Sequence, residues 1–238
     1  MTGPEKTEAR KVKILEAAAK VFAEKGFQDA TIAEIAKTSR TSEASIYDYF
    51  TTKENLLFSI PLELMRQLHE TMEFHLKLIR GSLNKVYAIL NMQLLFYKEH
   101  PEFTSVLMLI LKHNPRFIDT ESHKEIRKNL RIFDRIIVEG IESGEFRPDI
   151  NPYYVRSSFI GAMEHIIINW LMVGNPKDLM EASDPMFDMC VRLLKKDAAA
   201  SGCPLLNNQK NQYDAFLKSQ NFDGKEKSSN SRRENPEE

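Results

Sequence analysis

Residues able to do covalent or metal chemistry are present but scattered. The six histidines (His69, His75, His100, His113, His123 and His165) show no metal-ligand spacing, and the two cysteines, Cys190 and Cys203, add none. A reducing cytosol argues against pairing those cysteines as a disulfide. No nucleophile elbow, phosphate-binding glycine loop, zinc motif or dinucleotide fingerprint occurs. The expectation is a protein that binds rather than catalyses, with no metal and no cofactor. The polar residues with informative spacing are instead those that begin helices. Thr31-Ile32-Ala33-Glu34 has the form of a capping box, in which the Thr31 hydroxyl takes the Glu34 backbone N–H and the Glu34 carboxylate returns to Thr31. Ser42 and Thr52 stand as N-caps before Glu43 and Lys53.

These caps belong to short elements. Apolar residues at Ile14, Leu15, Ala18, Val21 and Phe22 predict a first helix, which Gly26 ends in a left-handed C′ position. A second short helix follows over 32–37, with Ile32, Ile35 and Ala36 inward, and a third over 43–49. Two short helices joined by a tight turn and propped by a longer one describe a helix-turn-helix; an ordinary helical hairpin fits the same pattern.

Charge does not advertise a nucleic-acid binder. The 238-residue chain carries a net charge of −1, and its first 60 residues hold nine basic and nine acidic side chains. Phosphate contacts must therefore come from placed residues rather than a broad basic field. With 42% hydrophobic and 28% charged residues the composition is that of a soluble globular protein. No run approaches the ~20 apolar residues of a membrane span, and residues 1–13 contain no apolar signal-peptide core, so a cytoplasmic location is expected.

The run from Ser42 to Leu56 narrows the choice. Tyr47-x-x-Phe50, a polar spacer, then Lys53-Glu54 and Leu56 resembles the signature of TetR family regulators. Upstream, Ala19, Phe22, Gly26 and Phe27, then Thr31 with Ile35-Ala36, match at the same spacing, so the resemblance covers about a fifth of the chain. It implies an all-α fold of about nine helices, with an N-terminal three-helix DNA-binding domain and a larger C-terminal domain for effector binding and dimerisation. It also implies roles. Thr31 is a phosphate ligand at a helix N-terminus, Tyr47 and Tyr49 contact phosphate or line the recognition helix, and Lys53 is a phosphate clamp. Ser42, Glu43, Ala44 and Ser45 form the tip that reaches base edges, while Ile46 and Phe50 are core. The sequence departs from the family at the turn, where Arg40-Thr41 replace the usual Gly-Val. Arg40 must accept a conformation easiest for glycine, or the turn is altered; its charge could reach phosphate.

From Lys53 onward the pattern predicts helices over 53–79, 82–98, 102–112, 117–143, 152–173 and 177–196, with Pro61 kinking the first. Helix 102–112 is apolar nearly all round and must be buried on several sides. The element Glu139-Gly140-Ile141…Gly144-Glu145-Phe146 resembles that of TetR regulators responding to fatty acids or acyl-CoA. An apolar effector cavity is expected to be lined by Phe96, Phe103, Leu107, Phe133, Met163, Ile166 and Trp170, although plain core is the other reading of these residues. Lys112, His113 and Arg116 are candidates for acyl-CoA phosphates; a solvated helix end is the alternative. The sixth helix, beside the fourth, is the expected lever.

The expected domains are 1–52 (DNA-binding), 53–197 (effector and dimerisation) and 198–238, a polar and mostly disordered tail. A homodimer is expected through helices 152–173 and 177–196, with Phe159, Ile167 and Phe187 as interface positions. The function implied is a repressor that binds a pseudo-palindromic operator in double-stranded DNA and is released by a small apolar effector such as fatty acyl-CoA. Two alternatives stand beside it: a repressor of efflux or detoxification answering a drug-like or aromatic compound, and a helical lipid-binding protein with a vestigial helix-turn-helix.

Overall fold

The computed structural model describes residues 3–195, among which every regular element is helical. The expected tail beyond 197 and Cys203 lie outside the described residues. Among the described residues nine α-helices run in order: α1 (Gly3–Asp29), α2 (Ile32–Ser39), α3 (Glu43–Tyr49), α4 (Lys53–Leu76), α5 (Ser82–Glu99), α6 (Pro101–Ser105), α7 (Glu121–Glu142), α8 (Pro152–Val173) and α9 (Ser183–Leu194). No helix among the described residues is long and apolar enough to cross a membrane.

Local chemistry sets the boundaries. Gly26 breaks α1 with φ 75°, which frees Phe27 to pack on Phe22 at 5.8 Å between ring centroids. The Thr31–Glu34 capping box forms as predicted, and Ser42 and Thr52 accept the N–H groups of Ser45 and Asn55. Arg40 does take the left-handed conformation (φ 55°, ψ 43°) at the end of α2. Its N–H and that of Thr41 close the helix on the carbonyls of Ala36 and Lys37.

Pro61 sits inside α4 and is buried. Proline cannot donate to the Leu57 carbonyl. One step along, the Ser122 hydroxyl of α7 donates to the Phe58 carbonyl at 2.5 Å, and Asn129 Nδ2 donates to Met65 O at 3.0 Å. The weakened part of α4 is thus held by α7, its main packing neighbour.

Two helices begin later than their apolar pattern suggests. Residues 115–119 form a 3₁₀ turn, and Thr120 caps α7 at Glu121 rather than at 117. A second 3₁₀ turn, Leu179–Ala182, precedes α9, so that helix starts at Ser183 rather than 177. The predicted helix 102–112 is α6 followed directly by a π-helical stretch, Val106–Leu111, in which the Lys112 N–H reaches back five residues to Leu107 O. Such stretches are rare and concentrate at functional sites.

The Glu139–Phe146 element is a clasp. Phe146 is buried flat over Gly140 and its N–H donates to Gly140 O at 2.9 Å. Gly144 turns the chain at φ 76°. The Glu145 carboxylate then accepts the N–H groups of Ser82 (2.6 Å) and Leu83 (3.1 Å), capping α5, which has no side-chain cap of its own.

Candidate functional site

Two places can bind. The first is the surface of α2, α3 and the start of α4. Ile46 and Phe50 face the core, whereas Ser42, Glu43, Ala44 and Tyr47 are exposed at the tip and outer face of α3. Ser42 Oγ accepts the Ser45 N–H and donates to Ser45 Oγ, both at 3.1 Å, so the Ser45 hydroxyl keeps its proton for an outside acceptor. Tyr49 is half-buried against Phe50. Thr31 is exposed; its Oγ1 accepts the Glu34 N–H, which leaves the O–H free to donate to a phosphate.

Lys53 is more than a free cation. Its Nζ donates to Ala30 O (2.8 Å) and Gln28 O (3.2 Å) and lies 4.6 Å from the centre of the Phe27 ring. It pins the α1–α2 connection to the start of α4, with one N–H left over beside Thr31. Lys25 at 2.5 Å, then the Thr31 N–H, hold the Glu34 carboxyl below the usual carboxylate range.

The second place is a cavity of about 200 Å³ enclosed by α4 (Met65, Leu68), α5 (Gln93, Tyr97), the π-helical stretch (Leu107, Leu111), α7 (Ile126, Asn129, Leu130) and α8 (Ile160, Met163). Lys112, Phe117, His123 and Glu164 also line it, and Lys112 pairs with Glu164. Of the expected effector residues, Leu107, Lys112 and Met163 meet here. Phe103 instead packs edge-on against Phe96 (5.6 Å between centroids) and faces a separate cleft against α1 and α4. Phe133 is buried against Phe159, with rings 4.6 Å apart and 20° from parallel. Ile166 and Trp170 are half-buried further along α8, and His113 is exposed. Arg116, also exposed, lies 3.4 Å from Glu54 at the start of α4. His165 is exposed and bonds Asn169 rather than entering the core.

Pattern reading missed the cavity's polar groups. Gln93 is 3% and Asn129 4% exposed, and neither Gln93 Oε1 nor Asn129 Oδ1 has a hydrogen-bond partner. The available signal was a polar residue within an otherwise buried stripe: Val86, Leu90, Gln93, Tyr97 on α5 and Ser122, Asn129, Ile132, Ile136 on α7. Desolvation, then the Glu164 charge, push the Tyr97 phenol well above its usual value, so it stays neutral. An unpartnered buried amide oxygen costs about 1–3 kcal/mol. Gln93→Leu is therefore expected to stabilise the ligand-free protein by about 1 kcal/mol, read as a raised urea midpoint. A lowered midpoint would mean that Gln93 is paired in solution.

Among the described residues no group of three or more His, Cys, Asp or Glu is placed to hold a metal ion. Cys190 is free and buried, and desolvation pushes its thiol up to about 12, so it is inert.

Both halves of the chain match known protein families. Residues 14–60 match the model of bacterial regulatory proteins of the tetR family, and residues 62–193, more than half of the chain, match that of the YsiA-like protein C-terminal region. The fatty acid metabolism regulator protein of Bacillus subtilis is 26% identical over 180 residues, covering 76% of this chain and 93% of that protein. The crystal structure of the Bacillus subtilis transcriptional regulator FadR in complex with stearoyl-CoA superposes with a TM-score of 0.71 at 26% identity, covering 76% of this chain and 97% of that one. The transcriptional repressor KstR2 of Mycolicibacterium smegmatis is 24% identical over 184 residues, 73% of this chain and 84% of that protein. With the helix-turn-helix matched at its N-terminus and the helical C-terminal region matched over most of the remainder, the chain belongs to the tetR family of bacterial regulatory proteins.

Proposed function

We propose that this protein is a dimeric cytoplasmic repressor that binds a pseudo-palindromic operator and lets go when a fatty acyl-CoA enters the cavity between α4 and α7. The observation that carries the reading is the bonding of that cavity's wall to the DNA-reading end. α7 contributes Ile126, Asn129 and Leu130 to the cavity. The same helix holds α4 through Asn129–Met65 and Ser122–Phe58, and Phe117, just before it, packs on Phe58 at 5.8 Å. Lys53 opens α4 and is bonded to the α1–α2 connection, so a shift of α4 moves the reading surface. By contrast α6 and the π-helical stretch pack on α1. The lever is therefore α7 with the segment before it, rather than the sixth helix alone.

At about 200 Å³ the cavity is smaller than the ~300–1,000 Å³ of most ligand sites. A long acyl chain enters only by widening it, which gives the ligand the different affinity for two shapes that release requires. Lys112 supplies a cation at the rim for CoA phosphates once its pairing with Glu164 opens. The relative bound to stearoyl-CoA supports this effector class. DNA contacts are assigned to Thr31, Arg40, Ser42, Glu43, Ser45, Tyr47, Tyr49 and Lys53.

The test is titration of the protein–operator complex with acyl-CoAs of increasing chain length. Each added methylene should tighten binding about fourfold, from ~0.8 kcal/mol of apolar burial per CH₂, until the cavity is full. If no acyl-CoA dissociates the complex while a cationic or aromatic compound does, the effector is drug-like and the fatty-acyl reading fails.

A further inference from the structure

The near-neutral charge of the N-terminal region hides a strong local separation. Lys6, Arg10, Lys13 and Lys20 recur at i, i+4, i+7 and i+14 along α1 and so share one helical face. Together with Arg40 they line an open groove of about 780 Å³ between α1 and the α2–α3 turn. Its floor is small, formed by Ala9, Ala17 and Ser39, and Glu16 is its one acidic lining residue. All five cations are exposed, and none has a salt bridge within 4.0 Å among the described residues. Five cations face one carboxylate, Glu16, along this groove, and the excess positive charge repels itself, an arrangement that a polyanion stabilises.

The groove lies in register with the reading surface. Arg40 stands two residues before Ser42, the N-cap of α3, while Thr31 and Lys53 stand at the opposite end of α2. Eight residues of α2 separate these ends by ~12 Å, at 1.5 Å per residue. That is about the width of the DNA major groove, ~12 Å. With α3 in the major groove, Thr31 and Lys53 meet the phosphates of one bounding strand and Arg40 those of the other. Along the same groove the cations of α1, from Lys6 to Lys20, span ~21 Å, or about six base-pair steps at 3.4 Å each.

We propose that the groove lined by Lys6, Arg10, Lys13, Lys20 and Arg40 is a second backbone track, which holds the phosphates of duplex DNA flanking each half-site. It rests on the DNA-binding reading above and extends the footprint beyond the helix-turn-helix. Arg40 is the junction of the two surfaces. A left-handed position that suits glycine holds arginine here, which places a cation where the tracks meet.

The experiment uses the full chain and the duplex it selects from a random-sequence library, with affinity measured from 50 to 300 mM salt. In the variant K6Q/R10Q/K13Q/K20Q the slope of log K against log salt should become shallower by about 0.9 for each phosphate that the protein no longer neutralises. If each protomer of a dimer gives up at least two phosphates, the slope changes by three or more. Affinity near 150 mM salt should fall at least tenfold, the ranking of base substitutions in the operator should stay the same, and trimming the flanks should no longer matter. The second variant, Arg40→Gly, removes the charge while relieving the backbone, so operator affinity should fall while the melting temperature holds or rises. A slope within one unit of the parent in the quadruple variant, or undiminished affinity in Arg40→Gly, overturns the proposal. Failure of the parent protein to select any duplex would instead overturn the DNA-binding reading itself.

Discussion

Gly140→Ala should cost this protein about 3–5 kcal/mol, the range for losing a buried phenylalanine, although it adds a single methyl group to a helix. An ideal Cβ at 140 would lie 2.8 Å from Phe146 Cγ and closer still to Cδ2 and Cε2. The ring is 2% exposed and cannot slide away without leaving its site. If it leaves, the Phe146 N–H bond to Gly140 O goes with it, Glu145 withdraws from the N-terminus of α5, and the Arg147 N–H loses Leu194 O at the end of α9. Against a usual total stability of ~5–15 kcal/mol that is a large fraction. Alanine is otherwise the better helix former, by about 1 kcal/mol, so propensity alone predicts the opposite sign. Urea unfolding decides between them. Phe146→Ala should cost nearly as much, and the double variant little more than Phe146→Ala alone, because both single changes remove one interaction. Additive losses would show that Gly140 and Phe146 act independently.

That clasp also illustrates what the chain made legible. The motif around Glu139 to Phe146 was visible as a resemblance to fatty-acyl regulators, yet its residues build a helix junction and none of them lines the cavity. Caps were readable where a hydroxyl residue directly precedes an apolar stripe, as at Thr31, Ser42 and Thr52. Thr120 and Asp178 were passed over because apolar residues (Phe117, Ile118, Leu179) stand close by and extended the apparent stripe. Burial in α8 was readable, but direction was not. That helix carries apolar residues on more than one face, so its period could not say that Met163 faces the cavity while Phe159 and Ile167 face the core. Asn129 bonds Met65 across 64 residues of chain, a pairing that no local pattern encodes.

The same ambiguity in α8 moves the expected interface. Phe159 and Ile167, anticipated at the dimer contact, are buried in their own protomer, so a charge there would unfold the chain rather than divide a dimer. The apolar side chains facing outward on α8 and α9 include Met172 (69% exposed), Met189 (56%) and Leu193 (39%), the last two one turn apart on α9. On α8, Gly161 shares an exposed face with Ser158 and His165 and has no atom within 4 Å of where a Cβ would stand. Nothing in the protomer requires a glycine there, although it costs the helix about 0.5–1 kcal/mol relative to alanine. Close approach of a partner helix would require it, and a two-fold interface repeats that approach from both sides.

The variant M189E/L193E is therefore expected to fold normally, sediment as a monomer and bind the operator at least 100-fold more weakly, because joining two half-sites is worth about 10²–10⁴. Gly161→Leu should do the same, with a melting temperature of the isolated protomer no lower than the parent's. If either variant sediments as an unchanged dimer, the outward face of α8 and α9 is not the interface. If it sediments as a monomer yet binds the operator with parental affinity, the half-sites are not read together and the two-fold model of recognition fails.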